Sequence, residues 1–260
     1  MGFIRGGLFV IVSVIFLFSL LAVNTSYTLY SSLDYENVKP EITLIIRDVV
    51  TNEMGLTTEI NKNLGIMNYY CENNSEFVFS DDESGYVFEI PCEIISNGSD
   101  AVIEYGIEEI VDKTYYEDYD CNFWDCFQKT NSGFFLISEK SKDYWGNKFY
   151  FLLLVSIILI TAMIFLIENK TNLPIVAGSL LILASLPFMK LNWIISFFPG
   201  EIISKFLEIF FQNSYNVFLI GLISGIIVLL IGIVLKFFKA GFKINEFFSK
   251  FKKEDSKASK

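Results

Sequence analysis

Four stretches of the chain carry no Asp, Glu, Lys or Arg: 6–23, 149–167, 173–189 and 217–235. Each has 17 to 19 residues. As helix, at about 1.5 Å per residue, that is roughly 26–29 Å, close to the ~30 Å hydrocarbon layer of a bilayer. A helix on the surface of a water-soluble core keeps a polar stripe, and these segments have none. The pattern predicts an α-helical integral membrane protein with four transmembrane helices. The first stretch is read as an uncleaved signal anchor. Its apolar run of 18 residues exceeds the ~7–15 of a signal peptide, and Leu21-Ala22-Val23-Asn24 is a poor small-x-small cleavage site.

The segment between the first and second spans alternates differently and predicts a small α+β domain. Pro40 and Glu41 suit a helix N-terminus, followed by Ile42, Ile45, Ile46, Val49 and Val50 at helical spacing. A second helix is expected over 58–69, with Ile60, Leu64 and Met67 inward. Residues 77–79 and 86–95 read as strands around the turn-like 80–85, with Pro91 making the second an edge or bent strand. Asn97-Gly98-Ser99-Asp100 is a turn whose Asp is suited to cap the next helix. That helix is marked by Val102, Ile103, Ile107, Ile110 and Val111. A last short strand is expected over 133–138.

Charge then sets an orientation. Residues 24–147 hold 24 acidic against 7 basic residues, a net of −17, whereas 236–260 hold 8 lysines against 3 acids, a net of +5. Positive segments stay cytoplasmic, and an even number of spans puts both termini on one side. The expected layout is a cytoplasmic N-terminus (1–5), span 6–23, an acidic extracytoplasmic domain (24–148), span 149–167, a cytoplasmic loop (168–172), span 173–189, an outer loop with an interfacial amphipathic helix (190–216), span 217–235 and a basic cytoplasmic tail (236–260). Trp145, Trp193 and Tyr215 fall at the outer boundary, where amphipathic rings favour the headgroup level. Phe238 and Lys239 open a basic, phenylalanine-rich tail suited to an inner leaflet of anionic lipid. A cell-membrane location is expected.

All four cysteines, Cys71, Cys92, Cys121 and Cys126, lie in the acidic domain. An oxidising compartment lets them pair. Of three connectivities, the expected one is 71–92, across the hairpin, with 121–126. Only one close pair exists, so the spacing fits a zinc site poorly, and no C-x-x-C redox pair is present. Asn24-Thr25-Ser26, Asn73-Asn74-Ser75 and Asn97-Gly98-Ser99 match the N-glycosylation acceptor pattern.

The chain has no histidine, which excludes Ser-His-Asp and Cys-His catalysis, His-ligated metals and His proton relays. No phosphate-binding loop, dinucleotide fingerprint or EF-hand loop occurs. The acidic run 115–120 is read as a solvated acidic face, with oxygens gathered around a hard cation as the alternative. No cofactor, metal or nucleic-acid partner is expected. Ionisable groups carry the coupling in ion-driven transporters, and the spans have none.

The fourth span holds Gly221 and Gly225 as G-x-x-x-G, with Gly232 a heptad further on. Such a face lets a second backbone approach closely, either in a homo-oligomer or, the reading preferred, within one bundle against the small residues of the third span. Pro187 is expected to bend or end that third span. The function expected is non-enzymatic: binding, sensing or scaffolding of a protein partner through the extracytoplasmic domain. A channel or accessory subunit of a transport complex is the first alternative, a membrane thiol-disulfide oxidoreductase the second.

Overall fold

The computed structural model describes residues 3–48, 51, 56–80, 87–129, 133–191, 195 and 201–258. In chain order the elements are α1 (Phe3–Ser32), α2 (Tyr35–Asp48), α3 (Leu56–Cys71), β1 (Glu76–Ser80), β2 (Val87–Pro91), α4 (Cys92–Ser96), α5 (Ser99–Tyr115) and α6 (Phe123–Lys129). A 3-10 turn (Gly133–Ile137) then leads into α7 (Glu139–Leu166). After it come α8 (Leu173–Ser185), α9 (Glu201–Phe211) and α10 (Ser214–Ala258). The chain divides into two compact units: Met1–Ser31 with Trp145–Lys260, and Ser32–Tyr144.

Among the described residues four helical stretches are long and apolar enough to cross a membrane: Ile4–Ser32, Glu139–Leu166, Lys170–Lys190 and Lys205–Lys239. Between 11% and 28% of each is buried inside the protein, so most of their apolar surface needs another apolar medium. Outward-facing side chains include Val10, Val14, Ile157, Ile158, Ile223 and Ile227. Exposed apolar surface on this scale is foreign to soluble monomers. Inward, Phe16 and Leu20 of α1, Met163 of α7, and Ala177 and Ala184 of α8 form one core, with Val228 of α10 packed against it.

Helices α8 and α10 pack backbone against backbone. A Cβ placed on Gly178 would lie 2.6 Å from the Leu229 nitrogen and 2.7 Å from the Gly225 oxygen. One on Gly225 would meet Ile182 at 2.7 Å, one on Gly221 would meet Ser185 at 2.8 Å, and one on Gly232 would meet Ile175 at 2.7 Å. Partner numbers fall along α8 as they rise along α10, so the two helices run antiparallel with their backbones in contact. The glycine face is therefore occupied within one chain.

Polar groups complete the bundle at few points. Ser19 and Ser156 share a buried hydroxyl hydrogen bond of 2.9 Å. Asn24 Nδ2 donates to the Ala184 carbonyl at 3.1 Å, and Asn213 Nδ2 to that of Ser31 at 2.9 Å. Arg5 donates to the Leu166 and Phe165 carbonyls at 2.8 and 2.6 Å. These carbonyls end α7 and lack intrahelical partners, and a cation suits that negative helix end. Among the described residues no Asp, Glu, Lys or Arg is buried.

One feature of the first unit follows the expectation from Pro187, and one adds to the pattern read in the sequence. α8 stops at Ser185 and passes into a 3-10 turn over Leu186–Lys190, because Pro187 has no N–H for the helical ladder. α10 continues as helix past the charge-free run, unbroken to Ala258, so the basic tail is helical.

In Ser32–Tyr144 an antiparallel pair, α2 and α5, packs Val38, Ile42 and Ile46 toward Ile103, Ile107 and Val111, all buried. A second core gathers Met67, Ile90, Ile95 and Val102 from α3, β2, α4 and α5. The only sheet among the described residues is the β1–β2 hairpin. Four expectations are corrected. The first helix starts at Tyr35, with Pro40 inside it, because the Asp34 carboxylate and carbonyl accept the first free N–H groups. The second strand stops at Pro91 and 92–96 is helical. The next helix is capped by Gly98, whose φ of 101° suits glycine, and not by Asp100. Residues 133–137 form a 3-10 turn in place of a strand, since no third strand among the described residues pairs with them and the Ser138 hydroxyl, accepting from the Ser141 N–H, starts α7 behind them.

Gly225→Leu is expected to lower the thermal unfolding midpoint in detergent, by the equivalent of at least 1–3 kcal/mol, because backbone cannot move aside. Gly65→Ala, in α3 with nothing within 4 Å of the added methyl, should raise stability by roughly 0.5–1 kcal/mol. Equal midpoints for the two variants would contradict the packing described.

Candidate interaction surface

Residues of α2 and α5 fix the frame of the Ser32–Tyr144 unit. Beside the apolar stripe runs a ladder of polar pairs. Arg47 bridges both oxygens of Glu104. Lys39 lies 3.6 Å from Glu108 and 3.9 Å from Asp112, and the Tyr35 hydroxyl donates to Asp112. These pairs are half-exposed, and each such pair contributes about 0–1 kcal/mol, so they fix register more than they stabilise. At the base Tyr115 is buried and donates to the Leu33 carbonyl at 2.8 Å. Burial pushes its phenol well above the ordinary range, with the Asp34 carboxylate adding to the effect. Burial also raises Tyr35, assisted by the bond to Asp112. Asp34 is held below the usual carboxylate value by its hydrogen bond with Lys142, at 2.8 Å.

The hairpin carries the first surface. Cys71, at the end of α3, and Cys92, just past β2, are bonded with Cα atoms 5.5 Å apart. The register pairs Phe77 with Ile90 and Val78 with Glu89. Phe77 and Ile90 face the core. By the alternation of a strand, Glu76, Val78 and Glu89 face away from it, and all three are exposed.

α6 carries the second surface. The 121–126 disulfide, also with Cα atoms 5.5 Å apart, closes its first turn. Phe123 is buried and stacks on Tyr144 with centroids 4.0 Å apart and planes 8° from parallel. Trp124 meets Phe123 and Phe127 edge-on, at 5.3 and 6.2 Å. Yet Trp124 is 58% exposed and Phe127 50%. An exposed Trp beside an exposed Phe, next to a disulfide and a stacked pair, is a combination enriched at protein interfaces.

The structure thus brings the four cysteines together as the two pairs expected, with no free cysteine among the described residues. Gly221, Gly225 and Gly232 lie in the α8–α10 contact. Trp145 is half-buried, whereas Tyr215 and Phe238 are exposed, and Lys239 Nζ donates to Asn169 Oδ1 at 2.8 Å. Trp193 lies outside the described residues. Among the described residues no three Cys, Asp or Glu side chains converge as metal ligands. The three glycosylation patterns part company: Asn73 and Asn97 are exposed, whereas the Asn24 amide is engaged between α1 and α8. Sequence reasoning missed Val78 and the Trp124–Phe127 pair as surface features. The close cysteines around Phe123 and Trp124 were the available signal for the second.

Replacing Cys71 and Cys92 together by Ser should cost about 3 kcal/mol in urea unfolding, and Cys121 with Cys126 about 2, because the second loop is shorter. A reversed order would count against the chain-entropy account. A buried phenol with a raised titration stabilises the fold fully below its unfolded value of ~10, and that contribution is lost as pH rises further. Stability should therefore decline above about pH 10, and less steeply in Tyr115→Phe. That variant should itself lose about 1 kcal/mol at neutral pH, through the missing hydrogen bond. An unchanged alkaline slope would sink this assignment.

No protein-family model, no curated protein and no solved structure matches this chain.

Proposed function

We propose that this chain is a multi-pass membrane protein that acts without catalysis, binding a protein partner through an extracytoplasmic Ser32–Tyr144 unit. The observation that carries the reading is the separation of chemistry between its parts. The candidate spans pack through glycine, alanine, serine and large apolar side chains, with no buried ionisable group among the described residues. Ion-coupled transport generally needs such a group in the membrane. The acidic unit has a core of its own, two disulfides and rigid exposed aromatic side chains.

Several residues support the orientation. Disulfides persist in oxidising compartments, which favours Ser32–Tyr144 outside the cytoplasm. Arg5, Lys170 and Lys239 then lie on the cytoplasmic side with both termini, following the positive-inside tendency. On this reading Trp145 and Tyr215 sit at the outer headgroup level. Phe237, Phe238 and Lys239, all exposed, open a tail drawn to anionic lipid. The glycine face is occupied within the chain, so this reading does not use it for a homo-oligomer.

A membrane-impermeant maleimide should label intact cells only after reduction. Labelling that needs lysis but no reductant would invert the orientation. Reconstituted in liposomes, the protein should carry no ion flux above lipid background, and a photo-crosslinker in place of Trp124 should capture one protein in its native membrane. Measurable flux together with no crosslink would favour the channel alternative.

A further inference from the structure

The β1–β2 hairpin has two edges, and they are treated differently. The Cys92 N–H donates to the Ser75 carbonyl at 3.0 Å. With the observed register, that bond fixes the ladder's parity: Phe77 with Ile90 and Phe79 with Phe88 exchange hydrogen bonds, and the alternate residues direct N–H and C=O outward. On β2 two of the outward positions are closed off. Pro91 has no N–H, and the Glu89 carbonyl accepts from the Tyr105 hydroxyl of α5 at 3.2 Å. On β1 the outward groups belong to Glu76, Val78 and Ser80, and among the described residues no backbone hydrogen bond fills that edge.

We propose that the β1 edge is a docking site for an extended peptide segment with Lys or Arg at alternate positions, which adds to the hairpin as a third strand. The inference rests on the reading of Ser32–Tyr144 as a binding unit. Strand addition of this kind draws affinity from main-chain hydrogen bonds and selectivity from alternate side chains. Here the face away from the core presents Val78, 52% exposed, beside the exposed carboxylates of Glu76 and Glu89. An incoming strand that alternates basic and apolar residues sets its basic side chains on that face, with their charges toward Glu76 and Glu89 and their aliphatic stems beside Val78, and turns its apolar residues to the core face. A second copy of this chain does not: its own β1 brings Glu76, and each unit carries a net charge of −17, which repels a like unit and steers a basic partner. The Cys71–Cys92 bond ties the hairpin base to α3, so the edge is formed before the ligand arrives.

The probes are an amidated peptide of alternating Lys and Val and its Glu-Val counterpart, added to the full chain in phosphatidylcholine nanodiscs. The basic peptide should bind at least ten-fold more tightly. It should also slow amide exchange within 76–80 at least ten-fold. Val78→Pro, which removes an outward N–H, should abolish the protection. Should that variant not fold, Glu76→Lys with Glu89→Lys leaves the backbone intact and should invert the preference toward the acidic peptide. Binding of the basic peptide with exchange in 76–80 unchanged would overturn strand addition while leaving the unit a binding module. Absence of binding at millimolar peptide would also overturn it, whereas the broader reading stands or falls on the crosslink at Trp124.

Discussion

The bundle depends on the contact of two backbones. In lipid there is no hydrophobic force to drive one apolar helix onto another, so association relies on close packing and on the few hydrogen bonds that shape permits. Gly178 on α8 and Gly221, Gly225 and Gly232 on α10 supply that packing, each at a point where a methyl group would collide with its neighbour. α8 is only 13 residues long, which leaves little other surface with which to hold its place. Its opposite side offers Ala177 and Ala184 to Phe16, Leu20 and Met163. The remaining outward faces are large and branched, as at Ile220, Ile223, Ile227 and Leu230. Such surfaces suit lipid chains better than a second close backbone contact.

Charge is distributed with the same economy. Arg5 and Lys239 are exposed and make their hydrogen bonds to α7's terminal carbonyls and to Asn169, in the turn after it. Among the described residues of the first unit, the buried polar residues are serines and Thr28. Several return their proton to a carbonyl one turn back, as Thr28 does to Asn24, which satisfies them without a partner helix. A bundle built this way is suited to holding its shape. The acidic residues and the tyrosines are concentrated in Ser32–Tyr144.

The parts legible in the sequence were those fixed by composition over long windows. Charge-free runs marked the four spans, G-x-x-x-G marked the tight helix face, and Pro187 marked the end of α8. The misreadings came from short-range rules that tertiary context overrode. Pro40 is a good first-turn residue, but Asp34 lies upstream and its carboxylate and carbonyl take up the first free N–H groups, so the helix begins there and tolerates the proline inside. The apolar alternation over 133–138 suits a strand, yet Phe135 and Ile137 reach buried positions equally well from a 3-10 turn. The Trp124 surface stayed illegible because its exposure follows from Phe123 occupying the stack on Tyr144. One-dimensional spacing does not say which of two adjacent aromatic residues turns inward.

The asymmetry of the hairpin bears on what an acidic edge is for. Charged residues on edge strands commonly guard against uncontrolled pairing, and Glu76 does so against a like-charged chain. Protection alone would call for the same treatment on both edges. Here β2 is shielded by a proline and by a tyrosine from α5, whereas β1 keeps its hydrogen-bonding groups outward and an exposed Val78 beside them. A valine at that position adds nothing to a guard, since it invites the contact that the carboxylate discourages. On the proposed edge the three side chains act together: Glu76 and Glu89 select basic side chains on the neighbouring strand, and Val78 offers an apolar contact to their aliphatic stems. On that proposal the same three side chains would discourage pairing between copies and favour a basic strand, without any residue having to change conformation between the two roles.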